Sequence, residues 1–291
     1  MLNLSVIIVT WQSEKYIKPC LRSAERELNS LNGEIIVVDN HSSDGSVEAL
    51  RKDFPTVQIV ENSQNLGFAK AVNQGLRLAK GKYIFLLNPD TIILPGALLE
   101  MINFLESHPT VGILGPQLLN SDGTIQSSCR EFPSYQNLIW EILGLARLFP
   151  KHKIFGRWKM SYFSHNELRE VDQPMGSALM VRKDVVEQIG VMDERFSMFF
   201  NEVDWCYRMK EMGWKIYFLP QAKIIHHLGA STCQSKIRMI LFLHYNLLRF
   251  LAKYERRPLG FLPLTALATL LLFVTIIRIC FNLIFDRSHN L

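Results

Sequence analysis

At 291 residues the chain is long enough to bury a full α/β core, as one large domain or two small ones. Hydrophobic residues at 48% and charged ones at 20% exclude a disordered chain, and a formal charge of +5 with no Lys/Arg block excludes a typical nucleic-acid binder. The charge suits an anionic ligand or a membrane surface. Five cysteines, odd in number and without a Cys-x-x-Cys pair, read as reduced thiols in a cytosolic compartment. No signal peptide is expected, because the run from Leu4 is already core-like and the three residues before it carry no basic charge.

From the start to about residue 115 the pattern alternates strand and helix. A buried strand over Leu4–Thr10 leads to a helix over Glu14–Leu28, then a strand over 34–38 and a short helix over 46–52. A strand over 57–61, a helix over 67–79, a strand over Tyr83–Leu87 and a helix over 96–106 follow. Short β-branched runs alternating with helical periods predict an α/β fold, a mostly parallel sheet with helices on both faces. Further on, Glu202 and Asp204 open a short helical pattern, and strand-like runs over 215–219 and 223–226 end on the pair His226-His227. Residues 237–254 are apolar with scattered cations, and Lys253, Arg256 and Arg257 form a basic cluster before Pro258. Residues 259–277 then run without a charge, about 28 Å as a helix, which just reaches across a hydrocarbon core. Such a tail either spans a bilayer, with the basic cluster on the cytosolic side, or lies in the interface. The expected divisions are 1–115, an α/β half; 116–235, the second half of the same domain; and 236–291, a helical, membrane-associating tail.

Sheets of this kind bind ligands beyond the carboxyl ends of their strands. The residues that converge there are Thr10 and Trp11, Asp39, the stretch 62–65, and Asn88-Pro89-Asp90. Any one of them is an ordinary turn residue; together they outline a cleft. There is no GxGxxG and no GxxxxGK[ST], so phosphate binding has to use a metal. Asp90 is the natural ligand. Mg²⁺ is typically held by one or two carboxylates plus the substrate's phosphates, and Mn²⁺ tolerates a histidine as well.

The segments SVIIVTW (5–11), VVDNHSSDGS (37–46), NLGFAKAVNQG (65–75), GKYIFLLNPDTII (81–93), DGTIQSSCREFPS (122–134), GSALMVRKDVVEQIGVMDERF (176–196) and NEVDWCYRMKEMGW (201–214) carry a resemblance. They resemble inverting glycosyltransferases of family 2, and within them the rhamnosyltransferase-like branch, from about residue 4 to 254. The resemblance implies a GT-A fold, with 1–115 as its nucleotide-sugar-binding half and 116–235 as its acceptor-binding and catalytic half, and an enzyme that moves a sugar, rhamnose among the options, from a nucleotide-diphosphate sugar (dTDP- or UDP-linked) to a glycan or lipid-linked acceptor. It implies a divalent cation, Mg²⁺ or Mn²⁺; the apolar tail and its basic cluster add an expected place at the cytoplasmic side of the cell membrane, peripheral or anchored by a single C-terminal helix. By position, Trp11 matches the aromatic beside the nucleobase, Asp39 the carboxylate on base or ribose, and Asn65 and Gly67 the turn facing the nucleotide. Asp90 matches the last acid of the metal motif, with Asn88 in place of its first. Glu202 matches the general base, with Asp204 second, and His226 a metal-coordinating histidine. Gln12, Asn201 and Gln173-Pro174 depart from the family pattern, and Val72 replaces a common Arg, leaving Lys70 as the phosphate contact. The pKa of a Glu base is expected to be raised by burial or by Asp204. A silent relative that only bound nucleotide sugar or glycan would be expected to lack one of Glu202, Asp90 and His226; all three are present.

Overall fold

The computed structural model describes residues 2–196, 198–227 and 236–285, and leaves out the side chains of 236–238 and 276–285. Its first half is built from β1 (Leu4–Thr10), α1 (Glu14–Leu28), β2 (Gly33–Asp39), α2 (Ser46–Asp53), β3 (Gln58–Glu61), α3 (Phe68–Leu78), β4 (Tyr83–Leu87), β5 (Thr91–Ile93) and α4 (Ala97–Ser107). Strands β3, β2, β1 and β4 lie side by side and parallel. Both faces are covered, so side chains alternate between two cores. Val6, Ile8, Phe85 and Leu87 point into one, beneath α1 and α4; Ile7, Ile36, Ile84 and Leu86 point into the other, beneath α3.

The second half comprises β6 (Val111–Leu119), β7 (Ile125–Gln126), β8 (Cys129–Arg130), α5 (Tyr135–Ile142), α6 (Leu145–Leu148), β9 (Arg169–Glu170), β10 (Gln173–Pro174), β11 (Ala178–Arg182), α7 (Lys183–Ile189), α8 (Asn201–Glu211) and β12 (Lys215–His226). Strand β11 enters the sheet antiparallel between β4 and β6, so the whole sheet is mixed, in the order β3-β2-β1-β4-β11-β6-β12-β5. The two strand-like runs after α8 are one strand. Its register against β6 shifts between Leu219 and Lys223, around Pro220, which has no N–H to give to the ladder. Strand β8 pairs with β10 in a small separate ribbon.

Helices α9 (Lys236–Tyr254) and α10 (Phe261–Phe285) close the chain. Leu247, Phe250 and Leu251 of α9 and Leu267 and Leu271 of α10 share a third core with Leu138, Phe200 and Val203. Each such buried side chain contributes about 1.5–3 kcal/mol, so α9 is pinned firmly to α8 and its approach. Among the described residues no helix is long and apolar enough to cross a membrane. The side chains beyond Thr275, Arg278 among them, lie outside the described ones. Among the described residues Cys20, Cys129 and Cys206 are free and buried.

Candidate active site

The parallel register brings the strand ends to one edge. Thr10 pairs with Asp39 and Asp39 with Glu61. The Thr10 hydroxyl and Asp39 Oδ1 are buried with no hydrogen-bond partner among the described residues, while Asp39 Oδ2 accepts from the Ser42 N–H at 2.9 Å. Buried polar groups are rarely left unpaired, so an open pair at a strand end marks a place for ligand atoms. Trp11 is half-buried next to them. Gln12, at φ 50°, donates its N–H to Ser42 Oγ at 3.0 Å and ties the loop after β1 to the loop after β2. Asn40 Nδ2 donates to Asn65 Oδ1 at 3.0 Å, and the same oxygen accepts the Gly67 N–H at 3.0 Å. Gly67 takes φ 84° there, a conformation that L side chains rarely adopt. Lys70, on the first turn of α3, is exposed and has no ion pair among the described residues.

After β4 the chain turns sharply. The Asn88 N–H donates to the Ser177 carbonyl at 2.8 Å, and the Asn88 carbonyl accepts from Thr91 Oγ1 at 2.6 Å. This turn buries Asp90 and sets it beside the end of β12, where His226 pairs with Thr91. His226 Nε2 lies 3.5 Å from Asp90 Oδ1, an oxygen with no hydrogen-bond partner among the described residues. The imidazole tautomer follows from its other side. Gln126 gives its Nε2 to Asn120 Oδ1 and to the His226 carbonyl, so its Oε1 faces His226 Nδ1 at 2.7 Å and that nitrogen carries the proton. The Nε2 lone pair therefore faces a carboxylate oxygen with no proton between them. Burial pushes the Asp90 carboxyl up to about 6 and holds His226 down at about 4, so His226 stays neutral. Two facing electron-pair donors fit a divalent cation. Among the described residues no third His, Cys, Asp or Glu joins them, which leaves room for phosphate and water ligands. His227 stands apart: its N–H donates to the Asp90 carbonyl and its ring contacts Ser121 Oγ.

Ser177 links this pair to the carboxylates of α8. A Cβ on the preceding Gly176 would sit 3.3 Å from Glu202 Cγ, so the bare glycine is what lets Glu202 lie against the strand crossing. The Ser177 hydroxyl is another buried group without a hydrogen-bond partner among the described residues. Glu202 keeps a partly exposed side chain at the rim. Enough protein surrounds it that burial raises its carboxyl above the ordinary glutamate range, with Arg130 pulling the other way. Asp204 is placed differently. It is fully buried, with Oδ2 accepting from Arg208 Nε at 3.0 Å and Oδ1 accepting from Tyr254 at 2.8 Å and from Lys253. Both of its oxygens are engaged in joining α8 to α9. Phe199 and Phe200, at φ 59° and 62°, turn the chain into α8, and Phe200 is clamped by the third core.

Several residues of the site carry no role in the sequence reading. Gly176, Ser177, Arg130 and Gln126 lie inside the recognised segments, but a glycine, a serine, an arginine and a glutamine there give no signal of a partner far along the chain. Asn40, next to Asp39, is legible only as a turn residue.

The class of protein this site and fold define is now clear from comparison as well. The family model for glycosyl transferase family 2 matches residues 5–190, and the chain belongs to that family. Over 265 residues it is 26% identical to an N-acetylglucosaminyl-diphospho-decaprenol L-rhamnosyltransferase of Mycobacterium tuberculosis, covering 86% of this chain and 84% of that one. A dTDP-rhamnosyl transferase, RfbF of Shigella flexneri, is 25% identical over 78% of this chain and 70% of its own. Among solved structures, a mannosyltransferase from Pyrobaculum calidifontis in complex with GDP-Man and Mn²⁺ aligns at TM-score 0.59 and 18% identity, over 92% of this chain and 70% of its own. GalNAc-T7 with UDP, GalNAc and Mn²⁺ aligns at 0.61 and 14% identity, with this chain covering 47% of it. The fold is GT-A, and the protein is a family 2 glycosyltransferase that resembles the rhamnosyltransferase-like branch.

Proposed function

We propose that the protein transfers a sugar, rhamnose first among the options, from a dTDP- or UDP-linked donor to a glycan or lipid-linked acceptor, with inversion at the anomeric carbon. The observation that carries this reading is the junction at Ser177. Its carbonyl holds the Asn88 turn that leads to the Asp90–His226 pair, and its neighbour Gly176 seats Glu202. Inversion is a single in-line displacement, which needs a base on one side of the anomeric carbon and a site for the departing diphosphate on the other. Glu202 takes the proton of the attacking hydroxyl; its raised pKa makes it a stronger base than an exposed glutamate. Asp204 holds α8 in place and leaves the proton to Glu202. Asp90 and His226 would hold Mg²⁺ or Mn²⁺, which supplies positive charge to the leaving diphosphate. Trp11, Thr10, Asp39, Asn65 and Gly67 bind the nucleoside end, and Lys70 and Asn88 reach towards the phosphates. The rhamnosyltransferase names of the relatives support the sugar, and the diphospho-decaprenol in one of them supports a lipid-linked acceptor.

We place the protein on the cytoplasmic face of the membrane, where nucleotide sugars are made, as a peripheral enzyme. Helix α10 covers the third core with one side and leaves Phe261, Leu262, Leu272 and Phe273 exposed on the rest, which suits a helix lying in a lipid interface. In terms of function, α9 goes with the catalytic half and α10 with the membrane.

The test is a panel of nucleotide sugars with a lipid-diphosphate acceptor, the product read by NMR at the anomeric carbon. Transfer from one donor with inverted configuration is expected. Retention would remove the displacement mechanism; donor binding without transfer to any acceptor would favour a silent binding module.

A further inference from the structure

The loop that runs from α5 through α6 has an unusual surface. Ile139, Leu143, Leu148, Phe149 and Ile154 are exposed by 44, 63, 68, 47 and 51%, although only sixteen residues, 139–154, hold them all. Single exposed leucines need no explanation, but such a cluster marks an interaction surface. The hairpin is also built and not loose. The Phe155 ring packs at 5.2 Å from Trp140, 4.7 Å from His152 and 5.8 Å from Phe149, and Leu138, at its start, is buried in the third core. Apolar side chains are thus presented outward on a scaffold that has its own interior.

The charges point to the occupant. From residue 142 to 166 the chain has no Asp or Glu. Arg157 and Lys159 are paired with Glu131 and Glu141, but Arg147, Lys151 and Lys153, all exposed, have no ion pair among the described residues. Three open cations among exposed Leu, Ile and Phe match the anionic headgroups and acyl boundary of a bilayer. The hairpin is anchored beside the tail, since α5 packs against α10 through the core that Leu138 shares with Leu267 and Leu271. It also stands close to the acceptor side, because α5 follows directly on β8, whose Arg130 is felt by Glu202.

We propose that hairpin 139–154 is a second membrane-docking element, which inserts its apolar side chains into an anionic lipid leaflet beside α10. Arg147, Lys151 and Lys153 then lie on lipid phosphates, and the rim that holds Glu202 faces an acceptor arriving from the bilayer. This rests on the peripheral placement proposed above and adds to it a surface outside the tail.

The experiment uses the full-length chain, sedimented with phosphatidylcholine vesicles with and without phosphatidylglycerol. Two hairpin variants, Leu143→Ser with Leu148→Ser and Lys151→Glu with Lys153→Glu, are compared with an α10 variant, Phe261→Ser with Phe273→Ser. Each lysine near an anionic surface is worth roughly fivefold in partition, so the charge-reversed pair should lose about tenfold or more on anionic vesicles and little on neutral ones. The serine pair should lose binding to both, and turnover on a soluble acceptor should stay at the parent level for all. Should the serine pair unfold, the lysine pair, on exposed side chains, decides the matter alone. Hairpin variants that bind like the parent while the α10 variant falls off would overturn the proposal and leave the tail in place. Failure of the parent to bind either vesicle would remove both. A hairpin variant that instead changes the oligomeric state without lipid would reassign the surface to a protein contact and overturn the lipid assignment.

Discussion

Two carboxylates two residues apart have opposite fates at the start of α8, and the difference comes from their neighbours. Asp204 meets Arg208, Lys253 and Tyr254, which satisfy both of its oxygens. Glu202 meets the bare backbone of Gly176 and the distant charge of Arg130. Glu202→Gln should therefore lower turnover about a hundredfold or more and leave the donor dissociation constant nearly unchanged. Asp204→Asn should act through the fold, because removing one partner of a buried charge cluster costs about 3–5 kcal/mol; a thermal melt would show it. If Asp204→Asn melts like the parent yet is inactive while Glu202→Gln is mild, the base has been assigned wrongly. The pH profile gives a second check. As the proposed base Glu202 would work ionised, and its pKa is raised, so activity should fall on the acid side at a pH above the ordinary glutamate range. Arg130 favours the ionised form, so Arg130→Gln should raise that pKa further and move the acid limb to higher pH; an unmoved or lowered limb would show that Arg130 does not act on the base. The sequence could point to Glu202, Asp204, Asp90 and His226 as residue types in the right motifs. It could show Arg208, one turn on, as a partner for Asp204, but not that its second oxygen is taken as well, because Lys253 and Tyr254 lie on a helix about fifty residues later.

At the scale of elements, the N-terminal half is written almost entirely in local pattern: β1, α1 and β4 have the limits that periodicity predicts. Two-sided burial makes such strands continuous apolar runs, and turn residues close them. Beyond residue 115 the local signal fails. Strand β11 finds its place by antiparallel pairing with β4, some ninety residues away, and no local period encodes that partner. Pro220 splits β12 into two apparent strands because a missing N–H looks like a stop, whereas here it marks a register shift. The hairpin at 139–154 has exposed apolar residues, which break the expected alternation of inside and outside. Helix α9 reads from its sequence as the start of a tail, yet Lys253 also meets Asp193 at 2.8 Å and Asn246 donates to the Met198 carbonyl, so α9 braces the approach to α8. Two truncations separate brace from tail. Cutting after Tyr254 keeps every contact to Asp204 and should preserve donor binding, with a lower melting temperature because Leu267 and Leu271 no longer cover the third core. Cutting after residue 235 removes Lys253 and Tyr254 as well and should abolish transfer along with cooperative unfolding. Equal activity of the two products would show that α9 plays no part in the site.

For the whole molecule, one sheet edge would, in the proposed function, gather the nucleotide, the diphosphate and the base, while α5, α6 and α10 turn exposed apolar side chains outward. Losing the membrane contact should cost far more on a bilayer-bound acceptor than on a soluble one, since the loss is one of proximity and not of chemistry. The central claim is that Asp90 and His226 hold a divalent cation that draws in the donor's diphosphate. The most direct measurement is calorimetric titration of the nucleotide-diphosphate sugar into the protein, with Mn²⁺ or Mg²⁺ and in excess chelator, for the parent, Asp90→Asn, His226→Ala and Glu202→Gln. Binding in the parent and in Glu202→Gln should require the metal, and each of the two ligand variants should lose about tenfold or more. Donor binding that is equally tight in excess chelator, or unchanged in both ligand variants, would contradict the claim and return the Asp90 turn to a purely structural role.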